Sequence, residues 1–196
     1  MVKARKKDKD AAKWKKKKWY RIISPTMFNS QLLGETTVLE PSQVVGKSVT
    51  VNLMSLTGEM RNQNVNIRFR VNKMVDNQGQ TEVIGYKLSP SFIKRVIRRR
   101  HSRIDGCYTL KTKDNKTVII KPMLVTRNKA SNSEVAALRT EAMKSLKRMA
   151  ISINYDELLK KMVFYKLQLE MRKTLNKVYP LKTFEVKKLE LIEKKE

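Results

Sequence analysis

The clearest pattern along the chain is the alternation of apolar and polar residues in NVNIRFRVN, residues 64–72. Apolar side chains occupy every second position from Val65 to Val71, which predicts a strand with one buried and one solvated face. DNQGQ at 76–80 has the residue types of a turn, and TEVIGYKL at 81–88 is rich in strand-forming residues. These segments together predict a β-hairpin whose solvated face carries arginine.

Further strands are predicted on both sides of this hairpin. VTVNLMSL at 49–56 precedes it, and CYTLKTK and KTVIIKP predict a second hairpin joined at Asp114 and Asn115. LKTFEVKKLELI at 181–192 predicts a final strand. Residues 19–49 mix apolar side chains with proline and glycine, which favours irregular or short extended pieces over helix.

Apolar residues at helical spacing predict three helices. The first is SPSFIKRVIRRRHS, residues 89–102, where a serine and a proline suit the first turn. SNSE at Ser131–Glu134 has the pattern of a capping box and opens the second helix. The third is predicted to run from Asn154 to about Lys177, before Pro180.

Strands followed by helices indicate the fold class α+β, with an antiparallel β-sheet or partial barrel packed with C-terminal helices. Residues 1–18, MVKARKKDKDAAKWKKKK, offer little apolar surface to bury. They are predicted to be a basic N-terminal extension that stays disordered until a partner neutralises it. Residues 19–196 are expected to form a single α+β domain.

The net charge of the chain indicates which class of molecule it binds. The 196 residues contain 44 Lys and Arg against 18 Asp and Glu, a formal net charge of +26. A folded body with that charge repels itself, and a polyanion relieves the repulsion. DNA or RNA fits best, ahead of an anionic membrane surface or an acidic protein.

The sequence gives little support for a catalytic site or a metal site. His101 and Cys107 are single in the sequence, so an intrachain disulfide and a zinc site of several His and Cys ligands are excluded. His101 lies among arginines, which supply neither an orienting partner nor a shielded pocket. Cys107 is expected to be buried. No glycine-rich phosphate loop, nucleophile elbow, membrane-spanning run or secretory signal is present, so no enzyme, cofactor, metal or small-molecule substrate is predicted.

The N-terminal run KWKKKKWYRII, residues 13–23, combines lysines with aromatic rings. Lysines meet phosphates without sequence preference, and rings stack on exposed bases or pack into protein. A solubility tail or a nuclear-localisation-like run is the alternative, but neither needs tryptophan. Trp14 is predicted to contact RNA. Trp19 and Tyr20 are expected to anchor the extension in the protein, and stacking of these rings on RNA is the alternative that the sequence leaves open.

A second basic segment has no acidic residue at all. Six lysines and arginines lie between Lys94 and Arg103, whereas solvated helix faces usually mix charge signs. Arginine also offers planar, bidentate donors to phosphate. The side chains predicted to contact RNA are Lys3, Arg5, Lys6, Lys7, Lys13, Trp14, Lys15, Lys16, Lys17, Lys18, Arg21, Arg68, Arg70, Lys94, Arg95, Arg98, Arg99, Arg100, His101, Arg103, Arg127 and Lys129.

Several segments, in order, resemble a known family from about Lys13 to Leu189. They are KKWY, GKSVTVNLMSLTGE, the FRV strand, RRRHSRIDGCYTLKTKDNKTVIIKPMLVTR and VYPLKTFEVKKLELI. The chain resembles the S-three-A-e family of small-subunit ribosomal proteins of archaea and eukaryotes. It lacks the long C-terminal extension of eukaryotic members, so it is similar to the archaeal type.

This resemblance implies a structural, non-enzymatic constituent of the small ribosomal subunit in the cytoplasm. It implies a place on the platform near the mRNA exit and the 3′ end of the small-subunit rRNA, with rRNA, neighbouring ribosomal proteins and exiting mRNA as partners. The main alternative is a free RNA- or DNA-binding protein, such as an RNA chaperone or a chromatin factor, which would be expected to expose aromatic rings on a sheet face. An RNA-modifying enzyme or a peripheral membrane protein is less consistent with the residues.

Overall fold

The computed structural model describes residues 17–192, which form two compact units. The first unit contains residues 17–51 and 68–83, and the second contains residues 52–67 and 84–192. The described residues contain nine strands, five α-helices and three short 3₁₀ helices, which confirms the predicted α+β class. The single-domain organisation of residues 19–196 stays a prediction.

The first unit is built from β1 to β3 and the adjoining parts of a long hairpin, β4 and β5. The strands are β1 (Lys18–Ile23), β2 (Leu32–Val38), β3 (Ser48–Asn52), β4 (Val65–Val75) and β5 (Gln78–Leu88). Short 3₁₀ helices lie at Thr26–Phe28 and Pro41–Val44. Neighbouring strands pair in the order β2, β1, β5, β4, β3.

One of these pairings departs from the expected antiparallel sheet. β1 pairs antiparallel with β2, but parallel with β5, where Arg21, Ile22 and Ile23 lie beside Gln78, Gly79 and Gln80. The sheet is therefore mixed. Regular strands in residues 19–49 were not predicted, because their alternation of buried and exposed residues is short and depends on partners distant in sequence.

Apolar side chains from all parts of the first unit meet in one core. Tyr20, Ile22, Val38, Val44 and Val71 are buried together there. The inward-pointing side chains of β1 alternate with exposed ones, as period two requires.

The β4–β5 hairpin confirms the strongest sequence pattern. Asp76 and Asn77 adopt φ values of 47° and 61°, which two-residue hairpin turns of the primed type need. The preceding segment was predicted wrongly in part, because β3 ends at Asn52 and the next residues form helix α1 (Leu53–Thr57). Asn52 Oδ1 accepts a hydrogen bond from the Met54 N–H at 2.9 Å, so the side chain caps a helix where strand was expected.

The second unit contains an antiparallel sheet centred on β8. Its further strands are β6 (Arg103–Asp105), β7 (Tyr108–Lys111), β8 (Thr117–Thr126) and β9 (Leu181–Ile192). β8 pairs with β6 and β7, and it pairs with β9 along its whole length. The predicted second hairpin and the predicted final strand are confirmed.

Helices of the second unit pack on this sheet. They are α2 (Pro90–Val96), α3 (Asn132–Ser152), α4 (Tyr155–Val163) and α5 (Lys166–Leu175). α3 packs on β7 and α5, and α5 packs on β9 and α4. Leu138, Leu146, Leu167, Phe184 and Val186 are among the buried side chains that fill this core.

Two helix predictions were too long. The helix expected at 89–102 ends at Val96, and Ile97 takes an extended conformation with φ −79° and ψ 119°. The helix expected to reach Lys177 is interrupted after Val163, because Tyr165 has a left-handed φ of 61° and a new helix starts beyond it. Near each of these places the chain hydrogen-bonds to a strand distant in sequence, through Ser102 to Thr126 of β8 and through Tyr165 to Glu185 of β9.

The predicted capping box of α3 is present. Ser131 Oγ accepts from the Glu134 N–H at 3.4 Å, and Glu134 Oε2 accepts from the Ser131 N–H at 2.7 Å. Both satisfy N–H groups that the helix itself leaves without partners.

We expect Ser131→Ala to lower the free energy of unfolding by about 1 kcal/mol, since it removes one half of this reciprocal cap. Thermal denaturation should show a decrease in Tm of roughly 2–4 °C for a chain of this size. Asn132→Ala, in the same first turn but without a hydrogen bond to Ser131, is the matched control. Equal Tm values for the two variants would contradict a capping role for Ser131.

Candidate nucleic-acid interface

Residues 98–103 are held against the end of β8 by Ser102. The Thr126 N–H donates to the Ser102 carbonyl at 3.0 Å, and the Ser102 N–H donates to Thr126 Oγ1 at 2.9 Å. The Ala130 N–H donates to Ser102 Oγ at 3.0 Å. This serine therefore joins the arginine-rich segment to the loop that follows β8.

Residues at and just before the start of β9 contact the loop that follows β8 and the arginine-rich segment. The Arg127 N–H donates to the Pro180 carbonyl at 3.0 Å, and the Tyr179 hydroxyl donates to the Lys129 carbonyl at 3.3 Å. Lys182 Nζ lies 3.5 Å from His101 Nε2. Three segments that are distant in sequence thus converge on one corner of the second unit.

We call this surface the basic corner. Its members are Arg98, Arg99, Arg100, His101, Arg103, Arg127, Lys129 and Lys182. Seven of them were predicted from the sequence. Lys182 was missed, because its approach to His101 depends on the pairing of β8 with β9.

Little negative charge offsets the basic corner. Arg103 Nη2 lies 2.7 Å from Asp105 Oδ2, and Asp105 also contacts Lys187 Nζ at 3.4 Å. Within residues 17–192, the other arginines and Lys129 of the corner form no ion pair, and all of these side chains are exposed. Exposed cations without carboxylate partners are free to bind an external anion.

His101 does not have the surroundings of a catalytic base. Its ring is half-buried, its Nδ1 atom has no hydrogen-bond partner, and its other nitrogen faces a lysine. Within the described part of the chain, no group of three His, Cys, Asp or Glu side chains could hold a metal ion. Cys107 is exposed, so the expected burial of this thiol was wrong.

Two predicted residues lie on the short helix α2. Lys94 and Arg95 are exposed in its last turn, where cations interact favourably with the helix dipole. The Arg95 guanidinium lies 5.4 Å from the centre of the Phe92 ring. Arg98 and Arg99, expected on the same helix, instead lie in the segment after it.

Other predicted residues belong to the first unit. Lys17, Lys18 and Arg21 are exposed at β1, and β1 begins at Lys18, the last residue of the expected extension. Arg68 is exposed on β4 and donates to Ser48 Oγ at 3.0 Å, while Arg70 is half-buried. Eight predicted residues lie outside the described residues: Lys3, Arg5, Lys6, Lys7, Lys13, Trp14, Lys15 and Lys16.

The two aromatic residues at the start of β1 have opposite environments. Tyr20 is 3% exposed and belongs to the core, as expected. Trp19 is 70% exposed, so the expectation that it anchors the chain in the protein was wrong. The alternation along β1 sends these neighbouring rings to opposite faces.

A buried carboxyl in the second unit was not singled out from the sequence. Glu185 is 5% exposed, and its Oε1 accepts a hydrogen bond from the Tyr165 hydroxyl at 2.6 Å. Burial raises the pKa of Glu185 to about 7, and burial together with the Glu185 charge raises the pKa of Tyr86. A cavity of about 70 Å³, lined by Arg61, Phe92 and others, adjoins these groups.

The hydrogen bond from Tyr165 explains how this acidic side chain is accommodated on a strand of the core. It satisfies one carboxyl oxygen where water is largely absent. The same residue, Tyr165, forms the left-handed break between α4 and α5. The pair therefore links the helix break to β9.

Among residues 17–192, none of the helices is both long enough and apolar enough to cross a membrane.

Comparison with known proteins gives a consistent result. The Ribosomal S3Ae family matches residues 4–195. Small ribosomal subunit protein eS1 of Methanobrevibacter smithii is 32% identical over 191 residues, which cover 97% of this chain and 98% of that protein. The eS1 protein of Methanothrix thermoacetophila is 30% identical over 189 residues (96% and 90%), and that of Saccharolobus islandicus is 31% identical over 183 residues (92% and 86%).

Proposed function

Because the chain belongs to the Ribosomal S3Ae family, we propose that it binds rRNA on the platform of the small ribosomal subunit, near the mRNA exit and the 3′ end of the rRNA. Its role in the ribosome is structural and non-enzymatic. The platform position follows from the family resemblance described above.

The observation that carries RNA binding is the basic corner. It brings three segments that carry arginine and lysine to one corner of the second unit, and within residues 17–192 its arginines form one ion pair, that of Arg103 with Asp105. Arginines bind phosphate oxygens in bidentate fashion, so the corner fits closely spaced phosphates of folded RNA. Recognition follows RNA shape and unpaired bases, because the A-form major groove is too narrow for side chains.

The remaining predicted residues extend this interface. Lys94 and Arg95 of α2, and Lys17, Lys18, Arg21, Arg68 and Arg70 of the first unit, supply further phosphate contacts. Residues 1–18 bind RNA as a basic extension to the single α+β domain of residues 19–196. Lysines bind phosphates without sequence preference, so this extension contacts the RNA backbone rather than particular bases.

Neighbouring ribosomal proteins and exiting mRNA are the other proposed partners, with the cytoplasmic ribosome as the location. Large apolar side chains on and between the helices support protein neighbours, because Met143, Ile151, Phe164 and Leu169 are exposed. Exposed apolar groups of this size commonly become buried in assemblies.

Sedimentation of cell lysate through sucrose gradients tests the proposal. We expect the chain to migrate with small ribosomal subunits and to remain there after washing in about 0.5 M salt, since loosely held polycations dissociate steeply with salt. Loss from the subunits at high salt, or migration at the top of the gradient at both salt concentrations, would overturn it in favour of a free RNA-binding protein.

A further inference from the structure

We propose that Trp19 is a stacking platform for an unpaired RNA base, with the cations beside it binding the flanking phosphates. This inference rests on the proposed function and adds to it a contact with a base rather than with the backbone. Trp19 was not among the residues predicted to bind RNA. Its exposure became apparent only from the pairing of β1.

Trp19 stands on the face of β1 opposite to the core of the first unit. Trp19 and Arg21 are exposed, whereas the intervening Tyr20 is buried. In the register with β2, Trp19 lies beside Thr37 and Arg21 lies beside Glu35, and both partners are exposed. In the register with β5, Arg21 lies beside Gln78, which is also exposed.

We call this surface the Trp19 face. It consists of Trp19, Arg21, Glu35, Thr37 and Gln78. Polar side chains therefore surround a single large ring. Within the described residues, no other ring or cation contacts the indole, and its N–H makes no hydrogen bond. A ring placed in this way contributes nothing evident to the core.

The charges around the ring favour a nucleic acid as its occupant. Arg21 Nε lies 3.5 Å from Glu35 Oε1, which holds the guanidinium on the same face as the indole. Lys17, two residues before Trp19, is also exposed. A flat apolar ring beside cations matches a nucleotide, in which a base adjoins a phosphate.

Small polar neighbours also fit a planar occupant. Thr37, directly across from Trp19, is short and leaves the indole accessible from the solvent side. Every base presents a π face, so stacking here is expected to be tolerant of base identity. Single-stranded rather than paired RNA is the expected ligand, because bases in a duplex are already stacked.

The chain offers a direct spectroscopic test, since Trp14 and Trp19 are its two tryptophans. In the full-length Trp14→Phe variant, Trp19 is the sole indole fluorophore. We expect a single-stranded oligouridylate to quench its emission. An abasic ribose-phosphate oligomer of equal length and charge is expected to bind more weakly without comparable quenching.

Affinity provides the second arm of the test. Replacing Trp19 by Ala is expected to weaken oligouridylate binding by roughly tenfold to a hundredfold, whereas Trp19→Phe retains most of the affinity. Val45→Ala, which shortens another exposed apolar side chain of the first unit, is the matched control and should bind normally. Circular dichroism checks that all variants remain folded.

Equal binding and equal quenching by the two oligomers would overturn the stacking proposal, as would unchanged oligouridylate affinity in Trp19→Ala. Concentration-dependent self-association that Trp19→Ala abolishes would also overturn it, in favour of a second copy of the chain as the occupant. If these results accompany salt-resistant sedimentation with small subunits, the stacking proposal fails and the ribosomal function stands. Absence of the chain from small subunits is the separate failure of the proposed function.

Discussion

Replacing Arg98, Arg99 and Arg100 together by alanine is expected to lower the affinity of the chain for small-subunit rRNA by about a hundredfold or more. Each arginine that donates to a phosphate contributes roughly 1 kcal/mol or more as a charge-assisted hydrogen bond. The slope of log K against log salt should also fall by roughly 2, as fewer counterions are released. Filter-binding titrations at several salt concentrations measure both quantities.

A matched control separates this local effect from the loss of net charge. Lys160, Lys173 and Lys177 are three exposed lysines of the second unit outside the predicted interface, and their joint replacement by alanine removes the same charge. A substitution of the three arginines by lysine is expected to give an intermediate affinity, because lysine keeps the charge but loses the bidentate geometry. If the triple-arginine and triple-lysine replacements weaken binding equally, the basic corner is not the RNA contact.

Glu185 is expected to make the protein less stable at pH 8 than at pH 5, by about 3 kcal/mol for this group alone. Its folded-state pKa is raised by burial from 4.5 to about 7, so the folded state holds a proton that the unfolded state releases. The favourable contribution is complete below pH 4.5 and is lost as pH rises towards 7. Above that range the folded protein carries a buried carboxylate.

Glu185→Gln tests the assignment, because glutamine stays neutral and can still accept the hydrogen bond from Tyr165. We expect this variant to be more stable than the natural chain at pH 8 and nearly equal to it at pH 5. Chemical denaturation at both pH values gives the difference in the free energy of unfolding. Glu170→Gln, at an exposed position of α5, should leave the pH dependence unchanged. Parallel pH profiles for the natural chain and Glu185→Gln would contradict a buried, proton-binding carboxyl.

Structure set by nearby residues was predicted well from the sequence. The β4–β5 hairpin follows from strict alternation around Asp76 and Asn77, and the α3 cap follows from Ser131 and Glu134. In each case the interactions that determine the structure join residues close in sequence, so a short sequence pattern is enough to predict it.

Structure that depends on residues distant in sequence was not predicted well. The helix at 89–102 ends early, and Ser102, near its expected end, pairs with Thr126, 24 residues away. The break at Tyr165 accompanies a hydrogen bond to Glu185, 20 residues away. Helical spacing contains no information about either contact.

The residues of the candidate interface could be predicted from the sequence only in part, for the same reason. A run of like charges such as Arg98–Arg100 is visible in the sequence, and so is its suitability for phosphate. The convergence of that run with the loop after β8, and the addition of Lys182, depend on strand pairing. The expectation that Trp19 packs into the protein was wrong, because an aromatic residue in a basic run does not indicate which face of its strand is exposed to solvent.

The pairing of β8 with β9 also has a consequence for biosynthesis. Thr117 to Thr126 of β8 pair with residues 181–192, the last described stretch of the chain. A nascent chain that has reached α5 therefore has β8 with one edge still without its partner, and the contacts from Tyr179, Pro180 and Lys182 are still to form. Contacts so distant in sequence form late during vectorial synthesis. The surface that would bind rRNA is thus completed only after residues 179–192 have been synthesised and have paired with β8 and the loop that follows it.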